Sequence, residues 1–455
     1  MMKKVAVVGA GVIGVSSLLR LIEERKYNQI ENSDNGLDYN IKIVWIYDST
    51  IPIFGIGEST TPFLPEVVTS SYLRYNIKDK FDANIKYGNK FIGWGNNGKN
   101  FIRWFTLDRN GFHFDTEKYS KFFIDYVPKT FNNIEVRDQK ITHIGFDDDG
   151  VHINNEIYDF VIDCSGKNSL LDDGEYSDSS FVSVNSCLAL PLPNPIDWQV
   201  TISKTTKNGW MFGIPLQTRK TFGYCYNSDI TTEEEAFEDF KSIIPEAKDY
   251  PYKQFTWNPQ FSNYFMHSSG KYVRNGNALG IIEPLESFAG SYYDIINERI
   301  CDYIFGKIGQ RDVESVDEMN EWYIREIIRD WDKNLAWIYH FGSNHDSPFW
   351  KKMIKQSRDY LNDKDKNPCS LLDEDTNFTD DLPNIIGDNK NLKNKFFNGM
   401  LDFGFESEFE FFSEYYNFIS WASGTGASYV HKFSSNELLT EFDDEVHGEL
   451  NFKLK

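Results

Sequence analysis

Cysteine is scarce. Five residues in 455, at Cys164, Cys187, Cys225, Cys301 and Cys369, show no CxxC spacing, too scattered for a disulfide framework, a zinc site or a redox dithiol. The eight histidines are dispersed as well, and His340 and His345 are five apart, one residue too wide for two ligands on one helical face; no metal is expected. Positive charge is also in short supply: 47 Lys and Arg against 69 Asp and Glu leave a net charge of −22. That balance repels nucleic-acid phosphates and anionic lipid heads, so neither nucleic acid nor a membrane surface is an expected partner. No stretch reaches the ~18 apolar residues of a membrane span. The nearest approach, Val5 to Leu19 behind Met1-Met2-Lys3-Lys4, has the look of a signal-peptide core. It contains three glycines, continues into Arg20, Glu23 and Glu24, and meets no small-residue cleavage site, so a cytoplasmic chain is the expectation.

What the chain has is core-forming material, 40% hydrophobic and 16% aromatic, enough for one large module or two interlocked ones. Val5-Ala6-Val7-Val8 suits a buried parallel strand, Val12 to Glu24 keeps helical periodicity, Asn28 to Asn40 reads as a polar loop, and Ile41 to Tyr47 is again strand-like. These pieces compose a βαβ unit. Asp159 to Asp163 resembles a further buried strand, and Val182 to Pro191 and Trp198 to Ser203 suggest a second sheet. Thr231 and Thr232 are candidate caps for an acidic helix from Glu233 to about Ile244. From about Asn297 the pattern turns helical and aromatic, while Asp363 to Asn391 reads as loops. Strand and helix alternating early, helices late and a glycine-rich segment returning near residue 276 predict an α/β fold: a discontinuous dinucleotide module with an added layer.

Gly9-Ala10-Gly11-Val12-Ile13-Gly14 follows the first predicted strand and opens the first predicted helix, the context in which GxGxxG signals a dinucleotide. Gly9 permits the tight turn, Gly11 lets a pyrophosphate approach the backbone, and Gly14 lets the helix lie close to the strand. Asp48, ending the next strand, can accept from ribose hydroxyls. It lies 34 positions past Gly14, beyond the ~20 of the fingerprint, and the polar loop accounts for the excess. NAD and FAD are not separated by this motif.

Further segments, in order along the chain, resemble the flavin-dependent halogenases, in particular those similar to tryptophan halogenases. Gly57-Glu58-Ser59-Thr60-Thr61-Pro62 resembles the family's segment beside the flavin, and Ile157 to Gly166, ending Asp163-Cys164-Ser165-Gly166, resembles its DxVIDCSG strand. Asn208-Gly209-Trp210-Met211-Phe212-Gly213-Ile214-Pro215-Leu216 is similar to GWxWxIP, and Gly223-Tyr224-Cys225-Tyr226-Asn227-Ser228 to GYVYSS. Gly276 to Ser287, containing Gly280-Ile281-Ile282-Glu283-Pro284-Leu285-Glu286-Ser287, resembles the flavin and active-site segment GNAxGFxEPLES, and Asp346-Ser347-Pro348-Phe349-Trp350 a late D-[ST]-PFW stretch. The matches run from residue 9 to residue 350; the last hundred residues carry none.

The resemblance implies an FAD-binding Rossmann-type, flavin monooxygenase-like module with an additional β-sheet over residues 1–310, and a mainly helical C-terminal layer over 311–455. It implies a halogenase that uses reduced FAD, dioxygen and halide to make hypohalous acid, which travels a tunnel to a lysine and reaches an electron-rich, indole-like or phenolic, small-molecule substrate. The segment Ile85-Lys86-Tyr87-Gly88-Asn89-Lys90-Phe91-Ile92-Gly93-Trp94 places Lys86 at that lysine and Lys90 at a second, structural one. An ammonium can donate to the hypohalite oxygen, and a neutral amine can become a haloamine if desolvation lowers its pKa; both routes stay open. Read without the resemblance, Lys86 is an ordinary exposed lysine. Glu286 takes the position of the acidic partner that accepts the proton lost by the arene, with Glu283 a close competitor. The 200 positions between Lys86 and Glu286 do not say that they meet.

By the same resemblance Gly9, Gly11, Gly14, Asp48, Glu58, Ser59, Gly166 and Gly280 would bind FAD, and Trp210, Phe212 and Pro215 would wall the flavin chamber, with Phe212 standing where a second Trp is usual. At the halide the family continues Ser-Thr-Gly, whereas here Ser287 is followed by Phe288-Ala289-Gly290: either Phe288 and Ala289 replace the Thr-Gly pair directly, or one residue is inserted and Gly290 takes the glycine's role, and backbone N–H donors tolerate the side-chain change. This more apolar loop is expected to favour bromide or iodide over chloride. Phe105 is the candidate ring under the substrate, and Arg103 falls where histidine is common. With no separate NAD(P)H fingerprint, reduced flavin is expected from an independent reductase; a homo-oligomer is left open. A flavin-dependent aromatic hydroxylase or a catalytically silent FAD-binding protein would share the glycine loop, the acid and the CSG strand.

Overall fold

The computed structural model describes residues 2–31, 41–53, 57–61, 77–95, 100–104, 111–167, 169–195, 199–340 and 342–363. They fall into two compact units, residues 1–90 with 104–332, and residues 91–103 with 333 onward.

The first unit is built on a five-stranded parallel sheet with Lys4–Val8 at its centre, flanked by Lys42–Tyr47 and Phe160–Asp163 and closed by Ile134–Asp138 and Tyr272–Arg274. The strand runs Val5-Ala6-Val7 and Ile43-Val44-Trp45-Ile46 are almost completely buried, because both faces are covered. Ala6, Val8, Val44 and Ile46 pack against Val151, Ile153 and Tyr158 of a three-stranded antiparallel meander. The other face carries the helix Val12–Glu31, against which the helix Phe288–Ile308 lies, tied by Arg20 to Asp294 and Glu298 and by Ser17 Oγ donating to Asn297 Oδ1 at 2.6 Å.

A second, antiparallel sheet orders the strands Lys253–Thr256, Ser186–Leu192, Lys220–Tyr226, Gly209–Pro215 and Val200–Thr206. A third has Gly111–Phe114 between Glu58–Ser59 and Asn84–Lys86, both antiparallel to it. The acidic helix forms as expected over Glu233–Ile243. Thr232 is its cap, and Glu235 reaches back to complete a capping box.

Two boundaries differ from the sequence pattern. The first helix continues past Glu24 to Glu31, so the loop expected from Asn28 begins later. Arg25 is buried and Asn28 Nδ2 bonds back to Glu24 O at 2.9 Å, which carries the helix through its polar end. The late helical region starts at Phe288, nine residues before Asn297, and the run from Val316 stays with the first unit as far as Asp332. The edge strand Ile134–Asp138 had no counterpart in the sequence reading; its burial is partial, so its hydrophobic signal is weak. Trp198, Phe105 and residues beyond Asp363 lie outside the described residues.

In the second unit, Ser347 caps the helix Pro348–Leu361 with Pro348 in its first turn, the physical reason for a Ser-Pro pair at that point. Trp94, Tyr339 and Trp350 pack there with ring centroids 5.4–5.8 Å apart.

Candidate active site

The three glycines of the loop have three different surroundings. Gly9 has φ +110°, and a Cβ on it would stand 2.3 Å from Cys164 O. A Cβ on Gly14 would stand 2.3 Å from Gly9 O, so the helix could not approach the turn. Gly11 is different: a Cβ there meets nothing within 4 Å. The first two glycines are required by the protein's own packing; the third borders open space at the start of a 20-residue helix, where free N–H groups and the helix dipole favour an anion. That is the cradle a dinucleotide pyrophosphate fits. Gly9 N–H donates to Ile46 O and Trp45 Nε1 to Gly9 O, both at 2.8 Å, which fixes the turn to the end of the second strand. Asp48 follows, half-buried, its Oδ1 accepting from the Thr50 N–H (2.9 Å) and hydroxyl (2.6 Å), which hold it below the usual carboxylate range. Gly166 also borders open space, at φ +97°. Gly280, at φ +145°, is demanded by the neighbouring strand instead, since its Cβ would lie 2.4 Å from Gln260 O.

Lys86 is completely buried. Gly111, its direct partner on the central strand of the small sheet, has no side chain and leaves room for it, while Asn84 and Ser59 both stand opposite His113. Alternation therefore puts Ser59, His113 and Lys86 on one face. Lys86 Nζ donates to Ser59 Oγ at 2.8 Å and lies 3.5 Å from Ser287 Oγ. The amine thus bridges the segment 57–61 and the segment 283–290, which the sequence separates by more than two hundred positions. A second tie joins Thr61 Oγ1 to Ser291 Oγ, one residue past that segment. Ser287 holds φ +65°, left-handed for a residue with a Cβ, and turns the chain into the helix that begins at Phe288. Phe288, Ala289 and Gly290 form its first turn with no side-chain cap, leaving backbone N–H groups without partners in the helix.

Glu58 points to the other face of its strand. Desolvation pushes its carboxyl up to about 7. The Tyr293 phenol is raised by burial and by the Glu58 charge. Lys90 is half-buried, and burial lowers it.

On the antiparallel sheet, Thr205 stands opposite Trp210 and Ser203 opposite Phe212, so Thr201, Ser203, Thr205, Trp210, Phe212 and Ile214 share one face. Trp210 and Phe212 are buried with ring centroids 6.2 Å apart. Trp210 Nε1 has no partner among the described residues. Phe212 lies flat over Gly223, where a Cβ would come within 2.0 Å of its ring. Pro215 is on the opposite face from both rings. Gly57 closes against Ile214, and a Cβ on that glycine would stand 3.3 Å from Ile214 Cγ2, so the apolar wall and the Lys86 segment adjoin.

A family model described as tryptophan halogenase matches residues 109–378, more than half of the chain. The chain belongs to the tryptophan halogenase family. Among curated relatives it is similar to a tryptophan 7-halogenase of Kutzneria sp. (strain 744), 31% identical over 203 residues, which cover 40% of this chain and 36% of that protein. A tryptophan 6-halogenase of Streptomyces albogriseolus is 25% identical over 214 residues, 42% of this chain and 37% of that protein. The chain spans little more than a third of the length of these curated relatives. Solved structures extend the likeness at the level of fold. A tryptophan halogenase from Shewanella frigidimarina superposes with a TM-score of 0.67 at 19% identity, covering 78% of this chain and 81% of that one. The apo structure of VirX1 gives 0.71 at 18% identity over 97% and 92%. The α/β architecture with a Rossmann-like parallel sheet is the halogenase fold.

Of the halogenase residues expected from the sequence, Glu283 is buried with Ser183 donating to its carboxylate, and its charge acts on Cys225. Ser183 lies just before the strand Ser186–Leu192 of the antiparallel sheet. Glu286 lies in the turn Leu285–Ser287, next to the Ser287 that Lys86 approaches; its side chain and Phe105 are outside the described residues. His113 and Thr201 were not singled out by sequence. His113 is completely buried, its Nε2 2.8 Å from Thr201 Oγ1, and burial and then the Lys86 charge hold its imidazole well below the ordinary histidine value. The only local signal is a histidine between two phenylalanines in Gly111-Phe112-His113-Phe114; its hydrogen-bond partner Thr201 comes from a strand 88 positions away.

Proposed function

We propose that this chain is an FADH2-dependent halogenase that uses dioxygen and chloride, bromide or iodide to halogenate an electron-rich, indole-like or phenolic small molecule through Lys86 and Glu286. The observation that carries the reading is the buried Lys86 amine held between Ser59 and the turn that bears Glu286. A completely buried lysine is costly unless its position has a use, and an amine able to donate to hypohalite oxygen or to carry halogen is such a use.

In this reading Gly9, Gly11, Gly14, Asp48, Glu58, Ser59 and Gly166 hold FAD, the pyrophosphate against the open side of the loop at Gly11. When bound, reduced FAD with O2 supplies the oxidising equivalent that turns halide into hypohalous acid. The first-turn N–H groups of Phe288, Ala289 and Gly290 hold the halide, with Ser287 beside them. Trp210 and Phe212 exclude water and organic substrate from the flavin side. Lys86 orients or carries the electrophile, and Glu286 accepts the proton lost when the ring regains aromaticity. Reduced flavin comes from a separate reductase.

The test is purified chain with an independent flavin reductase, each halide and a panel of indoles and phenols, read by mass spectrometry. A halogen mass gain that disappears in Lys86→Ala, with flavin reoxidation unchanged, supports the reading. An oxygen mass gain establishes a hydroxylase instead, and reoxidation with no product a silent flavoprotein.

A further inference from the structure

Lys86 Nζ to Ser59 Oγ is 2.8 Å, Ser59 Oγ to Thr201 Oγ1 is 2.7 Å, and Thr201 Oγ1 to His113 Nε2 is 2.8 Å. Lys86, Thr201 and His113 are buried and Ser59 is half-buried. An ammonium can only donate, so Ser59 Oγ is an acceptor here, and each hydroxyl has one proton to pass on. When Ser59 donates to Thr201 and Thr201 donates to His113 Nε2, the wire runs one way, from ammonium to imidazole lone pair. His113 Nδ1 carries the ring proton in this arrangement, and that atom has no partner among the described residues.

We infer that His113 is a positioning residue for Lys86: through Thr201 and Ser59 it takes the proton that Lys86 must lose to present a neutral amine. The transfer is balanced. One N–H bond of Lys86 breaks as an O–H forms on Ser59; the Ser59 proton moves to Thr201 and the Thr201 proton to His113 Nε2. Lys86 is left with a lone pair and His113 as imidazolium, and no oxidant or reductant takes part.

The buried cluster holds a single positive charge before and after, so the step never places two cations side by side in low dielectric. Lys86 itself supplies part of what keeps His113 neutral, and that repulsion vanishes as the proton leaves. Among the described residues, the other charged groups on the surrounding strands are Glu58, facing the opposite side of its strand, Lys90, on the strand Gly88–Ile92 beside that of Thr201, Lys204, farther along the Thr201 strand, and Asp115, which is paired with Arg219. Lys86 is the one that acts on the imidazole.

The consequence for halogenation rests on the function proposed above; the wire itself is measurable without flavin. In the flavin-free chain, 15N correlation of the histidine rings should show His113 as the Nδ1–H tautomer, and Lys86→Met should raise its titration midpoint. A parent His113 protonated on Nε2 at neutral pH, or a midpoint indifferent to Lys86→Met, overturns the inference. In turnover, Thr201→Val and His113→Asn should each lower kcat by roughly 10²-fold with KM unchanged, make the residual rate climb with pH as hydroxide replaces the imidazole, and leave hypohalite formation, read by a trapping thioether, intact. Thr201→Ser should restore the parent profile. A parent that halogenates nothing sinks the proposed function, and the tautomer and Lys86→Met readouts still decide the wire; parent-like kcat and pH profile in Thr201→Val sink the wire alone.

Discussion

Gly11→Ala and Gly14→Ala look equivalent in the sequence and should behave oppositely. At Gly14 the added methyl would stand 2.3 Å from Gly9 O, backbone against backbone, more than an ångström inside ordinary contact. Relief requires the helix to leave the strand, at or beyond the upper end of the ~1–3 kcal/mol that overpacking costs. At Gly11 the methyl meets no protein atom within 4 Å, and exchanging Gly for Ala at the residue before a helix changes stability by only about 1 kcal/mol. The same methyl points where the pyrophosphate would accept backbone N–H bonds. Losing one charge-assisted hydrogen bond costs ~1.5–3 kcal/mol, roughly 10- to 150-fold in Kd. Urea denaturation of flavin-free protein reads the first quantity and titration with FAD by flavin fluorescence reads the second. Gly11→Ala should keep its denaturation midpoint and lose affinity; Gly14→Ala should lose its midpoint. A Gly11→Ala chain that binds FAD as tightly as the parent would show that the cofactor does not approach this loop, and the assignment of the cradle would fail.

Three other outcomes are expected. Glu58, raised by desolvation to about 7 in the folded chain, binds its proton more tightly there than unfolded, so its contribution to stability is full at low pH and is lost as pH rises through that value; Glu58→Gln should therefore gain stability over the parent at pH 8 and not at pH 4, and an equal effect at both is the refuting result in paired melts. Gly223→Ala would push its methyl to 2.0 Å from the Phe212 ring, destabilising by about 1–3 kcal/mol, and adding Phe212→Leu should recover part of the loss in a double-mutant cycle; strict additivity contradicts the contact. Competition of the three halides in one reaction should show bromide or iodide incorporated ahead of chloride, because Phe288 and Ala289 make the proposed halide loop apolar, and a clear chloride preference removes that expectation.

Local chemistry was legible in the sequence because it depends on neighbours a few residues apart. The β-branched runs of the parallel sheet, the GxGxxG turn, the Thr232 cap of the acidic helix and the Ser347-Pro348 helix start each fold as their own residues require. The ordered motifs also sufficed to indicate the family. Weak or long-range signals were not legible: the half-buried edge strand Ile134–Asp138 has little hydrophobic pattern to betray it, and the helical continuation to Glu31 depends on where Arg25 is buried. Cysteines without a recognisable spacing turn out to include a direct cross-strand pair, Cys187 opposite Cys225, neither in a disulfide. The decisive case is Lys86. The motif resemblance marked its position, but the residues alone did not say that it is buried or what it meets. Its burial, the space that Gly111 leaves for it, and the gathering of Ser59, Thr201, His113 and Ser287 around it from four other strands and turns all come from the folded arrangement. Such contacts belong to atoms a few ångströms apart, and in this chain those atoms are brought together by sheet register across more than two hundred residues.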